Sequence, residues 1–543
     1  MRTHWKLAFL AVALPAALAA CGSCKTPEAD APPATAASFL PAKGRSAVVV
    51  PDVAKLGRTA RALEQTRLAG LAASALGARD AEALVAPVVR QLGFDPRTED
   101  GFAKSGLDGA RGLAFGDDGA GGQVLVLAVS DAGRFDAYVA SLAKRFGGDA
   151  KGEAIYSGTE SAPAKVPVVT FSAGDGAPRL AYGIRDGFAV IGTGAKAVES
   201  VGVALARPRA ESLDADPAFR KATLKLASRD LYAWLPGGIG EGRARRFENG
   251  VAIGVTLGEK GVNVRLLLPQ GPLQVAAIHA MGKPAGMELA KLLSADDFLA
   301  VRLGGEPAAF LPALDAIAPR RLLSQLRKAG LEPADLLSQL QPGAALGLEL
   351  NPEVDLSGGL PTDPAIARTN PFAFFRVVLV AKVKDPAKAA AALETFASNG
   401  SSFGMRVAAE GPENARVYKA TYAAGEGMTW GLVGDTLLAT GGSDAFEKAR
   451  ARLAAKGPGE GFVVKDPAAR KIFETAGSAA HLDVQRLTAA LRAIPSSAYG
   501  IGGFRLKELM DTWVSLLGEL KGVTASLSID EEGLIVDADL GLE

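Results

Sequence analysis

The sequence predicts an α+β fold made of two tandem, diverged copies of one unit, each combining antiparallel hairpins with packed helices. Three observations predict it. Apolar strands ending in aspartate run into helices at two separated places; two Gly/Asp hairpins line up residue by residue; and each half closes on a strictly alternating hairpin. With 543 residues and 48% hydrophobic content, the chain can bury large cores.

The first element is a leader. Arg2, His4 and Lys6 form a basic start, and Leu7–Ala20 is an apolar run too short to span a bilayer comfortably, which takes about 20 residues. The run ends in Leu18-Ala19-Ala20-Cys21. This ending resembles the bacterial lipobox. The resemblance implies cleavage between Ala20 and Cys21, lipidation of the Cys21 thiol and acylation of the new amino terminus. Several acyl chains anchor firmly, since each buried CH₂ contributes about 0.8 kcal/mol. Gly22 follows the cysteine; among enteric lipoproteins an aspartate there favours the inner membrane, so glycine points to the outer one. Residues 1–20 are thus read as signal peptide and 21–37 as a lipidated Pro/Ala-rich tether, flexible and partly polyproline-like. Cys21 and Cys24 are the only cysteines, so no disulfide staples the body.

The first unit is placed at 38–285 and the second at 286–543, with the seam near Met281–Met287. Ser46–Val53 opens the first as Phe298–Gly305 opens the second, and Gly93–Pro96 resembles Gly330–Pro333 after a helix. Gln123–Asp131 (QVLVLAVSD) and Arg376–Asp385 (RVVLVAKVKD) are strands that end in a helix-capping aspartate, the second followed by Pro386 at the first helical position. Phe135, Tyr138, Val139, Leu142 and Phe146 then keep helical spacing. Tyr182–Gly194 (YGIRDGFAVIGTG) lines up with Trp430–Gly442 (WGLVGDTLLATGG), each a hairpin about a Gly/Asp turn, and Asp216–Lys221 matches Asp466–Lys471. Val251–Leu257 and Val262–Leu268 alternate in the first closing hairpin, as Val523–Ile529 and Leu534–Ala538 do in the second.

Several of these features also resemble a broad family of exported bacterial proteins known only as a domain of unknown function. They are Leu40-Pro41, the strand Val48–Val50 before Pro51-Asp52, the Gly106-Leu107-Asp108 step, and the strand running into a capped helix. The family brings no activity with it.

The chemistry the sequence offers is sparse. Sixty basic and 59 acidic residues give +1, and removal of Arg2 and Lys6 with the leader leaves −1, so no global field steers nucleic acid. Beyond the leader only His279 and His481 remain, without metal-ligand spacing. A hydrolase would need one of them beside a serine and a carboxylate, and no G-x-S-x-G elbow is present. Both histidines read as satisfied or solvated side chains. Gly237–Gly242 and Gly192–Gly194 lack nucleotide-binding fingerprints. Arg243, Arg245 and Arg246 read as a solvated face, and the Asp296-Asp297 step as adjacent carboxylates on opposite sides of a strand. No cofactor and no metal are expected. The second half inserts Asn351–Asn370 where the first has only Gly116–Gly122. This Pro/Gly-rich stretch reads as an exposed partner-binding loop carrying Asn351, Asp355, Asp363 and Arg368, with Phe372 just beyond it.

These readings lead to a non-catalytic, lipid-anchored envelope protein with a binding or scaffolding role, held to the membrane through Cys21 and facing the periplasm. The alternative is a carrier of lipid or another hydrophobic ligand in a cavity between the units. Cys21→Ser is expected to abolish incorporation of labelled fatty acid and to leave unprocessed precursor; processing and labelling at the native level would refute the anchor.

Overall fold

Alternation of buried and half-exposed residues marks the strands of this chain, and the computed structural model contains twenty among its described residues, all paired antiparallel. It describes residues 34–543 except 65, 67–68, 71–72, 74–78, 146–147, 149, 160–161, 174–175, 177, 227–228, 237–249, 259–260, 270–284, 311–323, 325–326, 328–331, 352–373, 401–404, 413–414, 423–424, 443, 456–460, 496–497, 499–503, 519, 531–532 and 543. Contacts divide the chain into two compact units at Pro269/Gln270.

In the first unit the strands are β1 (Ala47–Val50), β2 (Leu113–Asp117), β3 (Gln123–Ala128), β4 (Ala150–Thr159), β5 (Ala162–Ser172), β6 (Pro178–Arg185), β7 (Phe188–Thr193), β8 (Leu231–Leu235), β9 (Val251–Gly258) and β10 (Gly261–Pro269). They pair in the order β10–β9–β8–β1–β2–β3–β7–β6–β5–β4. The second unit contains β11 (Leu299–Leu303), β12 (Leu340–Leu350), β13 (Phe375–Val383), β14 (Arg406–Glu410), β15 (Val417–Tyr422), β16 (Gly425–Val433), β17 (Thr436–Gly441), β18 (Ser478–Asp483), β19 (Leu520–Asp530) and β20 (Gly533–Leu542). Their order is β20–β19–β18–β11–β12–β13–β17–β16–β15–β14.

The expected fold class is corrected by this sheet. The twenty described strands, all paired antiparallel, make a sheet-dominated open architecture, in place of an α+β pair of tandem copies. Hairpin patterns and helix caps report only on neighbouring residues. The same local patterns recur wherever an open antiparallel sheet turns and crosses over, so matching them does not establish a repeated α+β unit.

Local chemistry sets the ends of the elements. Asp186 (φ +54°) and Gly187 (φ +75°) join β6 to β7 in a two-residue turn whose left-handed backbone suits Asp-Gly. Asp131 accepts the Arg134 N–H (3.0 Å) at the start of helix Ala132–Arg145. Asp385 accepts the Ala387 and Lys388 N–H groups ahead of Pro386–Ser398, and Asp466 the Ala469 N–H ahead of Pro467–Thr475. Helix Ala132–Arg145 lays Phe135, Val139 and Ala143 on the sheet, where Phe135 meets Tyr182 edge-on at 5.4 Å. In the second unit Trp430 packs between Phe396 and Tyr418.

One buried charge organises the second unit. Arg302, in β11 between β12 and β18, is fully buried and has no carboxylate partner among the described residues. Its guanidinium donates to the carbonyls of Phe473 (2.8 and 3.1 Å), Gly477 (3.1 Å), Ala285 (2.6 Å) and Ala476. Three of these acceptors lie at and beyond the C-terminus of helix Pro467–Thr475, the negative end of its dipole. Burial pulls the Arg302 pKa down, yet the fixed dipoles hold the charge. Arg302→Met keeps the volume but leaves buried carbonyls without donors, and should lower unfolding free energy by about 3–5 kcal/mol. Urea denaturation checks this, and a loss under about 1 kcal/mol would show the contacts to be dispensable.

Candidate functional site

The segment the sequence singles out grows from the hairpin of β12 and β13. Its ladder runs through Glu349 opposite Arg376 and Leu350 opposite Phe375, and the Asn351 N–H then donates to the Phe374 carbonyl at 2.9 Å. Residues 352–373 therefore leave and return at two hydrogen-bonded positions. Phe374 is buried with Ile494 and Ala498, and half-buried Phe375 lies 6.0 Å from the Phe298 ring. The root is packed as core.

A charged layer sits beside this root. The Arg376 guanidinium pairs with Glu349 at 3.2 Å and Asp444 at 2.8 Å, and its stem passes over Gly442, where a Cβ would come within 2.9 Å of Cγ. Burial opposes the charge on Asp444, but Lys448 (2.6 Å) and Arg376 outweigh it and hold the carboxyl below its ordinary value.

Asp297 follows the opposite course. It lies two residues ahead of β11, 1% exposed, whereas its neighbour Asp296 faces solvent. Oδ2 accepts the Ser294 N–H at 2.6 Å, and a Cβ on Gly347 would lie 2.3 Å from it, so only glycine leaves room for the carboxyl. Oδ1 has no hydrogen-bond partner among the described residues. Burial pushes the pKa up to about 7; the Ser294 N–H opposes this, Glu349 adds to it, and Arg452 and Arg486 only partly compensate. Arg486 turns elsewhere, donating to the Asp297 carbonyl (3.1 Å) and the Val463 carbonyl (3.0 Å) and pairing with Asp483 (3.1 Å). The result is a protonatable acid next to the root of the loop.

His481 is a core residue, in line with the bland reading of it. In β18, its Nδ1 lies 2.8 Å from the Thr524 hydroxyl on the facing strand, and burial lowers its pKa, favouring the neutral ring. Among the described residues no group of three or more His, Cys, Asp or Glu is placed to hold a metal.

Of the residues proposed for partner binding, Asn351 is placed at the foot of the loop; Asp355, Asp363, Arg368 and Phe372 lie outside the described residues, as do Ala20, Cys21, His279, Gly237–Gly242 and Arg243, Arg245 and Arg246. Sequence reasoning passed over Asp297 because it treated the Asp296-Asp297 step as strand. The strand begins at Leu299, and both carboxylates lie in the turn ahead of it. The signal in the sequence was an aspartate ahead of the short apolar run Phe298–Val301, which does not reveal burial.

No family model matches the chain, and no curated protein matches it in sequence. Among solved structures it is similar to crystal form III of TP0453 (12% identity, TM-score 0.24, covering 45% of this chain and 74% of that one). Crystal form I of the same protein gives 12% identity and a TM-score of 0.25, over 48% and 80%.

The Asp297 environment makes stability depend on pH. Its folded-state pKa, about 7, lies above the ordinary 3.8, so the folded protein keeps a proton that the unfolded chain releases. The stabilisation is complete below about pH 4 and is lost as pH rises through 7, a change on the order of a few kcal/mol. Asp297→Asn, which cannot ionise, should gain on the native protein as pH rises from 4.5 to 8 in paired thermal melts. A stability difference constant with pH would refute the assignment.

Proposed function

We propose that the chain is a lipid-anchored, non-catalytic protein of the bacterial cell envelope, probing the periplasm from the outer membrane and binding an envelope partner through the loop between Asn351 and Phe374. The Leu18-Ala19-Ala20-Cys21 box, behind a basic start and an apolar run, carries the location. The membrane is then reached through lipid on Cys21; among the described residues no helix is long and apolar enough to cross it, which says nothing of strands.

The closed root at Asn351–Phe374 supports the binding role. A segment rooted by backbone pairing, an ion-paired layer and an aromatic core can vary its surface without disturbing the sheet. The near-balance of charge in the mature chain argues against nucleic acid as the partner.

Replacing residues 352–373 by a four-residue Gly-Ser link tests this reading. The root is already bridged, so the shorter closure should be neutral or favourable by up to about 1.5 kcal/mol. Melting temperature should hold or rise slightly, while proteins co-purifying with the intact lipoprotein are lost. A large fall in melting temperature with unchanged co-purification would make the loop structural.

A further inference from the structure

β14 ends the strand order of the second unit. Among the described residues it has a register with β15 alone, and Arg406, Ala408, Ala409 and Glu410 are exposed along it. Its inner-face residue Val407 packs on the cluster around Trp430 and Tyr418, so the strand is held rigidly on one face while its outer edge offers backbone donors and acceptors. The sequence Arg-Val-Ala-Ala-Glu is complementary to its own reverse. Two antiparallel copies centred on Ala408 set Arg406 opposite Glu410 twice, Val407 opposite Ala409 twice, and Ala408 opposite itself. A parallel copy would set like charges together. Small residues at the centre let the backbones approach.

We infer that β14 is a self-association edge, pairing antiparallel with β14 of a second copy of this chain about a two-fold axis at Ala408. Glu410 already meets Lys419 at 2.8 Å, so in the pair it lies between two cations, Lys419 of its own chain and Arg406 of the other. Five residues of edge bury less than a stable interface of about 1,000 Å² requires, so this contact alone makes a weak, reversible dimer.

In such a pair the two Ala408 Cα atoms stand about 4.5–5.5 Å apart, within disulfide range. Lys419, one strand inward, stands roughly 14 Å from its mate. The test uses the full-length lipoprotein purified in detergent with Cys24→Ser. Ala408→Cys should oxidise to a disulfide-linked dimer of this chain, and Lys419→Cys should not. Adding Arg406→Glu or Glu410→Arg to Ala408→Cys should each cut the dimer yield about tenfold. Mixing the two charge variants should restore it, because a heterodimer regains both ion pairs. Equal cross-linking by Ala408→Cys and Lys419→Cys, insensitivity to both charge changes, or failure of the mixed sample to recover would each overturn the inference. Circular dichroism confirms that each variant is folded.

Discussion

The second unit depends on an arginine that solves its burial without an acid. Arg302 stands in the middle of β11, where a charge is costly, and is held by carbonyl dipoles gathered at one helix terminus. Through those bonds it fixes residues 473–477, and β18 begins at Ser478. At the other end of β18 the Asp483 N–H donates to the Phe298 carbonyl, while the side chain caps helix Val484–Ala493 and pairs with Arg486. Arg486 then reaches the Asp297 carbonyl. The geometry around the loop root is thus linked by hydrogen bonds back to one guanidinium.

Two carboxyls near that root show how partners, more than depth, decide ionisation. Asp444 lies between Arg376 and Lys448 and is held in its charged form. Asp297 has one backbone donor, a neighbouring Glu349, and arginines engaged elsewhere, and its proton stays on until near neutrality.

What could be read in the sequence was what is decided within a few residues. The Asp186-Gly187 turn and the caps at Asp131, Asp385 and Asp466 follow from the geometry of one turn of chain. The alternating hairpins at β9–β10 and β19–β20 likewise form between adjacent stretches. Sheet membership was not readable, because β1 lies between β2 and β8, and pairing across such separations leaves no periodic trace. The same limit applies to the site. Composition marks 351–370 as loop, but the pairing of Glu349 with Arg376 across it, and the fit of the Asp297 carboxyl above Gly347, exist only once the strands are in register. Arg302 in Leu-Ala-Val-Arg-Leu carries no local hint of the helix end it binds.

The placement of β1 also sets the order of assembly. Ala47 pairs with Trp234, about 190 residues later in the chain, and Val49 with Tyr232. A chain emerging amino terminus first presents β1 early, yet one flank of that strand has nothing to pair with until β8 arrives. Contact order this high makes folding slow, and leaves an apolar strand edge open in the meantime. The long-range pairing that joins β1 to β8 thus leaves Val48–Val50 with one unpaired flank for most of the first unit's synthesis.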